Sequence, residues 1–238
     1  MIEIAKHRAA LEALGLTTLD GVRRYEGEHV KRQGVKRDVL RITLPDTTLY
    51  LKRNWRPYKK DGLASIAKRG EVWSIARQEW ENSRALQRAG LHTAELVAFG
   101  EECGPLWEHF SFIITEAAPG TPLSESFLSL EALAKEIRKM HAAGLFSPDL
   151  FARHIFVDDD RFTLIDMARL DDGPASRDLA ALNVTVPLRS VSTKQRIRFL
   201  KAYGGRHLFR QIEERVRYLL KHRRKFQDFL SNSDPNVK

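Results

Sequence analysis

The alternation of apolar and polar residues along the chain predicts two β-hairpins. Residues 39–44 and 48–52 have the length and composition of strands, and a three-residue turn joins them. A second pair, residues 155–157 and 162–165, flanks the polar turn Asp158-Asp159-Asp160-Arg161. A short polar turn between two such runs favours antiparallel pairing, so we predict that each pair folds back on itself.

Other short segments complete the predicted β-structure. Residues 110–116 form a further apolar strand, and the small residues 117–120 that follow suit a linker. Residues 21–25 are predicted to be a strand. A loop is predicted over residues 26–34, and its glycines are a weak signal for phosphate binding.

Helical periodicity appears near the N-terminus and in the middle of the chain. Residues 3–14 are predicted to form an amphipathic helix, with these buried positions: Ile4, Ala10, Leu11 and Leu14. Residues 129–143 are predicted to form a second helix with Ser129 as its N-cap. Its apolar face has spacings of three and four residues and consists of Leu130, Leu133, Ile137 and Met140.

A helix predicted over residues 70–89, with Gly90 as its stop, carries an acidic residue on its apolar face. Spacings of four and three residues place five side chains on that face: Val72, Ala76, Glu79, Ser83 and Leu86. Burial of a lone carboxylate is costly, so Glu79 needs a cationic partner. Lys52, at the end of a predicted strand, is the leading candidate. The alternative is that Glu79 tilts out to solvent.

The hairpin over residues 155–165 brings candidate catalytic residues together. Asp149 and Asp166 stand seventeen positions apart, and His154 lies five positions after Asp149. Because the hairpin reverses the chain, Asp166 should return to the neighbourhood of the other two. Two carboxylates and an imidazole at one end of a hairpin can bind a divalent cation and accept a proton. The alternative is a surface hairpin with acidic ends.

The composition is that of a soluble, globular protein. The chain has 238 residues, 42% of them hydrophobic, which is enough for one two-lobed domain or two small ones. A single cysteine, Cys103, excludes an internal disulfide framework and fits a reducing compartment. No run approaches the roughly 18 apolar residues of a membrane helix, and the N-terminal segment lacks the apolar core of a signal peptide. A cytoplasmic location is therefore expected.

The net charge of +9 is concentrated near the C-terminus. Residues 189–238 contain fourteen Lys and Arg against four Asp and Glu, so the whole excess lies in this segment. A basic segment attracts the phosphates of nucleic acid, of lipid headgroups or of an anionic glycan. The alternative is a solvated helical face.

The order of the predicted elements resembles that of the protein-kinase-like fold: strands, helix, strand, linker, helix, loop, hairpin and aspartate. Within that superfamily, residues 36–182 resemble the family that phosphorylates lipopolysaccharide core sugars, the Kdo and heptose kinases. The resemblance implies an α+β fold of two lobes. Residues 1–116 would form a small β-rich N-lobe, and residues 117–238 a mainly helical C-lobe with the catalytic loop and basic C-terminal helices.

The resemblance also implies roles for single residues. Asp149, within PDLFARHIF, matches the catalytic-loop aspartate that orients the acceptor hydroxyl and takes its proton. His154 stands where protein kinases carry a metal-binding asparagine. Asp166, in LIDMAR, matches the aspartate that binds the metal, and Lys52 and Glu79 match the ion pair that grips the phosphates of ATP. The implied cofactors are ATP and Mg²⁺.

Further residues near the centre match the family less closely. Residues 177–182, RDLAAL, resemble the helix start that follows the metal-binding motif. Ser147-Pro148 is a departure, since such kinases usually carry His-Arg or His-Gly-type residues there. Asp149 remains as proton acceptor, and the departure leaves open reduced or lost activity. Arg153 and Arg169 flank the centre, either as contacts to the γ-phosphate or an anionic acceptor or as ordinary surface residues.

We therefore expect an ATP-dependent kinase that phosphorylates a sugar hydroxyl of the lipopolysaccharide inner core, on Kdo or heptose. One alternative is a kinase for protein or for a small soluble alcohol. Another is a catalytically inactive basic binding module with a vestigial kinase fold. The presence of Lys52, Glu79, Asp149 and Asp166 favours an enzyme. The expected partner is an anionic glycolipid or sugar acceptor, and no nucleic acid is expected.

The basic C-terminus also suggests a contact with an anionic membrane. Gly204-Gly205 is predicted to end one helix, and a second helix is predicted over residues 206–230. Six basic residues crowd one stretch: Arg215, Arg217, Lys221, Arg223, Arg224 and Lys225. Each basic residue near such a surface contributes about 1 kcal/mol. Reversible docking on the cytoplasmic face of the inner membrane is therefore a hypothesis.

Overall fold

The computed structural model describes residues 1–33, 35–55, 59–123, 130–186 and 191–222. The chain divides into two compact units. The first comprises Met1–Arg84 and Ala94–Ala118, and the second comprises Ala85–Thr93 and the chain from Pro119 onward. The first unit is rich in strands and the second is mainly helical, so the predicted α+β class is confirmed. The division into lobes at residues 116 and 117 stays a prediction.

The described strands form two sheets. They are β1 (Ile2–Ile4), β2 (Glu28–Gln33), β3 (Arg37–Thr43), β4 (Thr48–Asn54), β5 (His92–Thr93), β6 (Leu96–Cys103), β7 (Glu108–Glu116), β8 (Thr121–Pro122), β9 (Ile155–Asp158) and β10 (Arg161–Leu164). The first unit holds an antiparallel sheet in the order β1-β6-β7-β4-β3-β2. The second unit holds a small sheet in the order β5-β10-β9-β8, in which only β5 and β10 are parallel.

The described helices are α1 (Arg8–Ala13), α2 (Leu19–Arg24), α3 (Lys59–Arg69), α4 (Ile75–Arg88), α5 (Leu130–Ala142), α6 (Ala175–Thr185), α7 (Thr193–Tyr203) and α8 (Phe209–His222). Within the described ranges, no helix has the length and apolar character needed to cross a bilayer.

Side chains alternate strictly between the two faces of the sheet along β3 and β4, and this alternation decides which residues lie on each face. Leu40 pairs with Leu51, and both side chains are buried in the cluster that α1 and α2 cover. Lys52, the next residue on β4, therefore points to the opposite face. That face bears Ile113 of β7, which packs with Trp80 of α4 in a separate cluster. The alternation thus places Lys52 on the side of the sheet where α4 lies.

The second unit is organised around α5. Its predicted apolar face is confirmed, because these four side chains are all buried: Leu130, Leu133, Ile137 and Met140. The proposed N-cap Ser129 lies outside the described residues. Gly204 ends α7 with φ of 78°, a left-handed conformation that favours glycine, as predicted for this position. The helix predicted over 206–230 begins with a 3₁₀ turn and continues as α8, and its last residues lie outside the described ranges.

The prediction of a strand over residues 21–25 is wrong, because this segment belongs to helix α2. The Thr18 hydroxyl accepts a hydrogen bond from the Gly21 backbone N–H at 3.0 Å, and Asp20 lies in the first turn. Both features stabilise a helix N-terminus. A six-residue helix with one buried side chain, Val22, has too few turns for its periodicity to show in the sequence.

The predictions for the neighbouring segments are also partly wrong. The loop expected over residues 26–34 contains β2, a strand at the edge of the sheet whose charged side chains made it look like a loop. The helix expected over residues 3–14 is shorter. Its first residues form β1, and His7 adopts a left-handed conformation with φ of 54° before α1 begins. Of the buried positions expected there, only Leu11 is fully buried.

A buried arginine ties α2 to the first sheet. Arg53 makes a bidentate ion pair with Asp38, with nitrogen–oxygen distances of 2.9 and 2.7 Å. Its remaining terminal nitrogen donates to three carbonyl groups at the end of α2, those of Val22, Arg23 and Tyr25. The last carbonyls of a helix have no partners within the helix, so Arg53 satisfies them while it neutralises Asp38.

We predict that Arg53→Met lowers the free energy of unfolding by about 3–5 kcal/mol, because it leaves the carboxylate of Asp38 buried without its cation. Chemical denaturation followed by circular dichroism measures the loss. Arg41→Met is the matched control, since the ion pair of Arg41 with Glu28 is exposed and should matter little. Equal stability of the Arg53 variant and the control would show that the buried pair is not required.

Candidate functional site

The ion pair predicted between a strand and a helix is present in the first unit. Lys52 Nζ lies 2.7 Å from Glu79 Oε1, and the two side chains are 19% and 7% exposed. Glu79 points inward because it lies on the buried stripe of α4, together with Ala76, Ser83 and Leu86 as predicted. The alternative of a solvent-facing Glu79 is wrong. The ammonium group provides the charge that makes burial of this carboxylate possible.

The stop signal of this helix is also confirmed. Gly90 adopts φ of 74°, and the N–H of Leu91 donates to the carbonyl of Leu86 at 3.0 Å. This bond closes the end of α4 in the manner of a Schellman motif. Val72, the first position of the predicted stripe, precedes the helix.

In the second unit, the predicted hairpin is formed by β9 and β10, with Ile155 opposite Leu164. The backbone N–H of Ile165 donates to the carbonyl of His154 at 2.9 Å, which extends the pairing by one residue. Asp166 then turns away with φ of 58°, a left-handed conformation that is unusual for a residue other than glycine. This turn leaves Asp166 Oδ2 3.6 Å from His154 Nε2, so the predicted return of the chain is confirmed.

The ring of His154 is held by the backbone of the candidate catalytic residue. His154 Nδ1 lies 3.0 Å from the carbonyl oxygen of Asp149, which can only accept, so Nδ1 carries the proton. The other nitrogen, Nε2, carries no proton, and its lone pair accepts a hydrogen bond from Arg153 Nε at 3.1 Å. Two acceptors, Nε2 and the Asp166 carboxylate, thus face the same space.

Asp149 lies in a short loop that precedes the 3₁₀ turn Ala152–His154. Its carbonyl also accepts from the Phe151 N–H at 2.8 Å, so the loop closes on itself. The carboxylate remains partly exposed and lies 3.4 Å from the guanidinium of Arg169, which is itself mostly exposed. Of the two flanking arginines, Arg169 therefore contacts Asp149, whereas Arg153 contacts His154.

The donor set at Asp166 fits Mg²⁺ when substrate oxygens complete the shell. Among the described residues, no group of three or more His, Cys, Asp or Glu side chains forms a ready cation cage. Mg²⁺ is commonly held by one or two carboxylates together with phosphate oxygens and water. The partly exposed carboxylate of Asp166 has this character. An imidazole is a less typical ligand for Mg²⁺, so His154 suits a supporting contact better than a central one.

Asp178 anchors the loop, a role that the sequence does not predict. Asp178, in the first turn of α6, is completely buried and accepts the Ser147 backbone N–H at 2.6 Å. It also accepts from Arg177 Nε at 2.9 Å, which supplies a countercharge. A carboxylate in the first turn of a helix is ordinary in a sequence, so only its complete burial reveals its role.

Ser147 is held in place from a second direction as well. The preceding residue, Phe146, exchanges two backbone hydrogen bonds with Asp171, and Arg177 makes a bidentate ion pair with the Asp171 side chain. His141 of α5 stacks on the Phe146 ring and lies 3.4 Å from Asp178. The loop that departs from the family pattern at Ser147-Pro148 is therefore fixed through its backbone.

Comparison with solved structures identifies the class of fold. WaaP in complex with acyl carrier protein matches with a TM-score of 0.64, 23% identity and 98% coverage of both chains. Aminoglycoside-3'-phosphotransferase of type VIII matches with a TM-score of 0.53 and 17% identity, over 76% of this chain and 87% of that one. Spectinomycin phosphotransferase in complex with ADP and spectinomycin matches with a TM-score of 0.52 and 11% identity, over 87% and 86%. The fold is protein-kinase-like, as expected.

Sequence comparison narrows the class to one family. Residues 17–203 match the model of the lipopolysaccharide kinase (Kdo/WaaP) family, and the chain belongs to that family. A curated relative, lipopolysaccharide core heptose(I) kinase WaaP of Pseudomonas aeruginosa, is 30% identical over 162 residues. The match covers 56% of this chain and 60% of the relative, so the chain spans somewhat less than two thirds of that protein's length.

We predict that Asp178→Asn loosens the loop before Asp149 and lowers the free energy of unfolding by about 1–3 kcal/mol, because the buried Ser147 N–H and Arg177 lose a charged acceptor. Hydrogen exchange of the loop amides and denaturant unfolding measure the two effects. Asp172→Asn, a change at an exposed neighbouring carboxylate, is the control. Unchanged exchange at Ser147 would refute the anchoring role.

Proposed function

We propose that this protein is an ATP-dependent kinase that phosphorylates a sugar hydroxyl of the lipopolysaccharide inner core. The observation that carries the proposal is the arrangement around His154, whose ring is bonded to the backbone of Asp149 and faces the carboxylate of Asp166. The proposal is supported by the Lys52–Glu79 ion pair and by membership of the lipopolysaccharide kinase family.

Each residue has a task that its surroundings suit. Phosphoryl transfer requires positioning of the reactants and neutralisation of charge more than covalent chemistry by the protein. The ammonium of Lys52, oriented by Glu79, binds non-transferred phosphates of the nucleotide. The carboxylate of Asp166 would hold Mg²⁺, which would neutralise phosphate charge, and His154 would support that site.

Asp149 acts on the acceptor rather than on the nucleotide. Its partly exposed carboxylate can accept a hydrogen bond from a sugar hydroxyl and take its proton as the phosphoryl group arrives. Arg169, 3.4 Å from that carboxylate and largely exposed, is placed to contact an anionic group of the acceptor. Kdo is a sugar acid that carries a carboxylate, and an arginine at this position suits an acceptor with such an anionic group.

The acceptor is anchored in a lipid, so we also propose a peripheral contact with an anionic surface. The exposed face of α7 carries three basic residues, Lys194, Arg198 and Lys201, beside the exposed side chain of Ile197. Arg223, Arg224 and Lys225, expected to contribute, lie outside the described residues. The WaaP structure was solved with an acyl carrier protein, so a protein partner is a second candidate for this basic face.

The experiment that tests the function is phosphate transfer from ATP to purified inner-core acceptors, with a generic protein substrate beside them. Comparison of an acceptor that ends in Kdo with one that ends in heptose shows which of the two sugars is phosphorylated. The same acceptor offered in anionic vesicles and as a delipidated oligosaccharide tests the surface contact, since preference for the vesicle form should fade at high salt. Phosphate that appears only on protein would overturn the sugar-kinase proposal.

We predict that Asp149→Ala lowers turnover by about 10²–10⁴-fold, the usual contribution of a positioned proton acceptor, while nucleotide binding stays nearly intact. Initial rates and nucleotide titration on the same preparation measure the two quantities. Asp160→Ala, in the exposed turn of the β9–β10 hairpin, is the control and should behave as wild type. Parallel loss of nucleotide affinity and folding would instead assign Asp149 a structural role.

We predict that Asp166→Asn weakens Mg²⁺-dependent nucleotide binding more than about 10-fold, the lower range for loss of a residue that merely supports a metal ligand. His154→Ala should weaken it less, because His154 supports the site. Titration of nucleotide at several Mg²⁺ concentrations measures both effects. Nucleotide binding that responds to Mg²⁺ as in wild type in both variants would contradict the metal assignment.

A further inference from the structure

Helix α4 begins against two buried carboxylates that the proposed chemistry does not use. Glu101 on β6 and Glu108 on β7 are 8% and 6% exposed. Glu108 Oε2 accepts the Ile75 backbone N–H at 2.9 Å, and Glu101 Oε2 accepts the Ser74 N–H at 3.3 Å. The first N–H groups of a helix have no partner within it, and carboxylates there also meet the positive end of the helix dipole.

The two carboxylates differ in how their charge is compensated. Glu101 Oε1 lies 3.6 Å from the guanidinium of Arg77, in the first turn of the helix. Glu108 has Ser111 and the Ile75 N–H close by, but its Oε1 atom is buried without a hydrogen-bond partner among the described residues. The charge of Glu108 is therefore the less compensated of the two.

The start of α4 is coupled by geometry to the nucleotide-gripping pair. Glu79 lies about one helical turn after Ile75. The position of the first turn of α4 relative to the sheet therefore sets the position of the Glu79 carboxylate. Glu108 is on β7, which pairs directly with β4, and Lys52 of β4 stands opposite Ile113 of β7. The same strand thus holds the beginning of the helix and the neighbour of Lys52.

We propose that Glu108 is a positioning residue for the Lys52–Glu79 pair, because it fixes the first turn of α4 through the Ile75 N–H. This inference rests on the proposed function, in which that pair binds the nucleotide. Glu108 does not contact the nucleotide in this role. It determines where Glu79 meets Lys52, and Glu101 braces the same turn through Ser74.

The hold of Glu108 on the helix depends on pH near neutrality. Burial is the largest cause that raises the pKa of Glu108 from 4.5 to about 7, the charge of Glu101 raises it further, and the bonds from Ser111 and Ile75 and the charge of Arg37 oppose the shift. Cys103, whose own pKa is raised to about 12 by burial, stays neutral in this range. The proton that Glu108 gains as pH falls through about 7 removes the charge that attracts the helix N-terminus.

Stability and positioning consequently respond to pH in opposite directions. A carboxyl group with a raised pKa in the folded state binds its proton more tightly there than in the unfolded chain. Its contribution to stability therefore falls as pH rises from 4.5 towards about 7. Its grip on Ile75, by contrast, becomes stronger over the same range. If Glu108 affected nucleotide binding only through stability, nucleotide affinity and the free energy of unfolding would change with pH in the same direction.

The test is the nucleotide affinity of the full chain between pH 6 and pH 8, measured in wild type, Glu108→Ala and Glu108→Gln. At pH 8 the alanine variant should bind about 5-fold more weakly, in line with loss of a helix cap. The glutamine variant keeps an acceptor for Ile75, so it should bind nearly as wild type does. The affinity of the glutamine variant should depend less on pH than that of wild type. Titration of the nucleotide itself affects both proteins equally, so it cancels when the two affinity profiles are subtracted. Unfolding of each variant is measured in parallel, and Glu108→Gln should be at least as stable as wild type at pH 8.

Glu102→Gln is the matched control, because this carboxylate neighbours Glu101 but is exposed and pairs with Arg23. It should leave affinity and its pH profile unchanged. Hydrogen exchange in the first turn of α4, measured without nucleotide, should speed up in Glu108→Ala. Unchanged exchange there, or wild-type affinity in the alanine variant, would overturn the inference. A wild-type chain that binds no nucleotide would overturn the proposed function instead, while the exchange measurement would still decide the role of Glu108 at the helix start.

Discussion

A carboxylate on the apolar face of a packed helix has to be neutralised, and the first unit is arranged around this constraint. Glu79 is buried on α4 and meets the ammonium of Lys52 at 2.7 Å. Lys52 reaches that side of the sheet because strand alternation turns it away from Leu51 and its core. The position of the N-terminus of α4 is in turn fixed by carboxylates of β6 and β7, which accept hydrogen bonds from its first N–H groups. Charge compensation, strand register and helix capping therefore all contribute to the contact between Lys52 Nζ and Glu79 Oε1.

The second unit meets a different requirement, which is to hold the carboxylates of Asp149 and Asp166 in place while leaving them accessible. Its loops are fastened through backbone groups: Asp178 accepts the N–H of Ser147, and His154 donates to the carbonyl of Asp149. The side chains of Asp149 and Asp166 remain 22% and 34% exposed. Because the fastening uses the backbone, the residue types at Ser147-Pro148 can depart from the family pattern without loss of the anchoring contacts.

Prediction from sequence succeeded where an element buries one continuous face. The stripes of α4 and α5 and the hairpins β3–β4 and β9–β10 each repeat a period over several residues, and each was placed within a few residues of its observed bounds. Over residues 1–33 the predictions were wrong or only partly right. There helix α2 is held by a capping threonine and by Arg53 of strand β4, and β2 is an edge strand rich in charged residues. Short elements stabilised by distant partners carry little periodic signal of their own.

The sequence by itself determined the candidate residues Lys52, Glu79, Asp149, His154 and Asp166, because their order and spacing follow from a hairpin and a helix stripe that are local patterns. Only the tertiary structure showed what holds them. The bond between Ser147 and Asp178 joins residues 31 positions apart, and the bond between Ile75 and Glu108 joins residues 33 positions apart. A buried carboxylate can lie any number of positions along the chain from the backbone N–H that it accepts. It is an Asp or Glu like any exposed one, so the sequence does not distinguish the two. Burial and partner, which decide its role, come into existence only when the chain is packed.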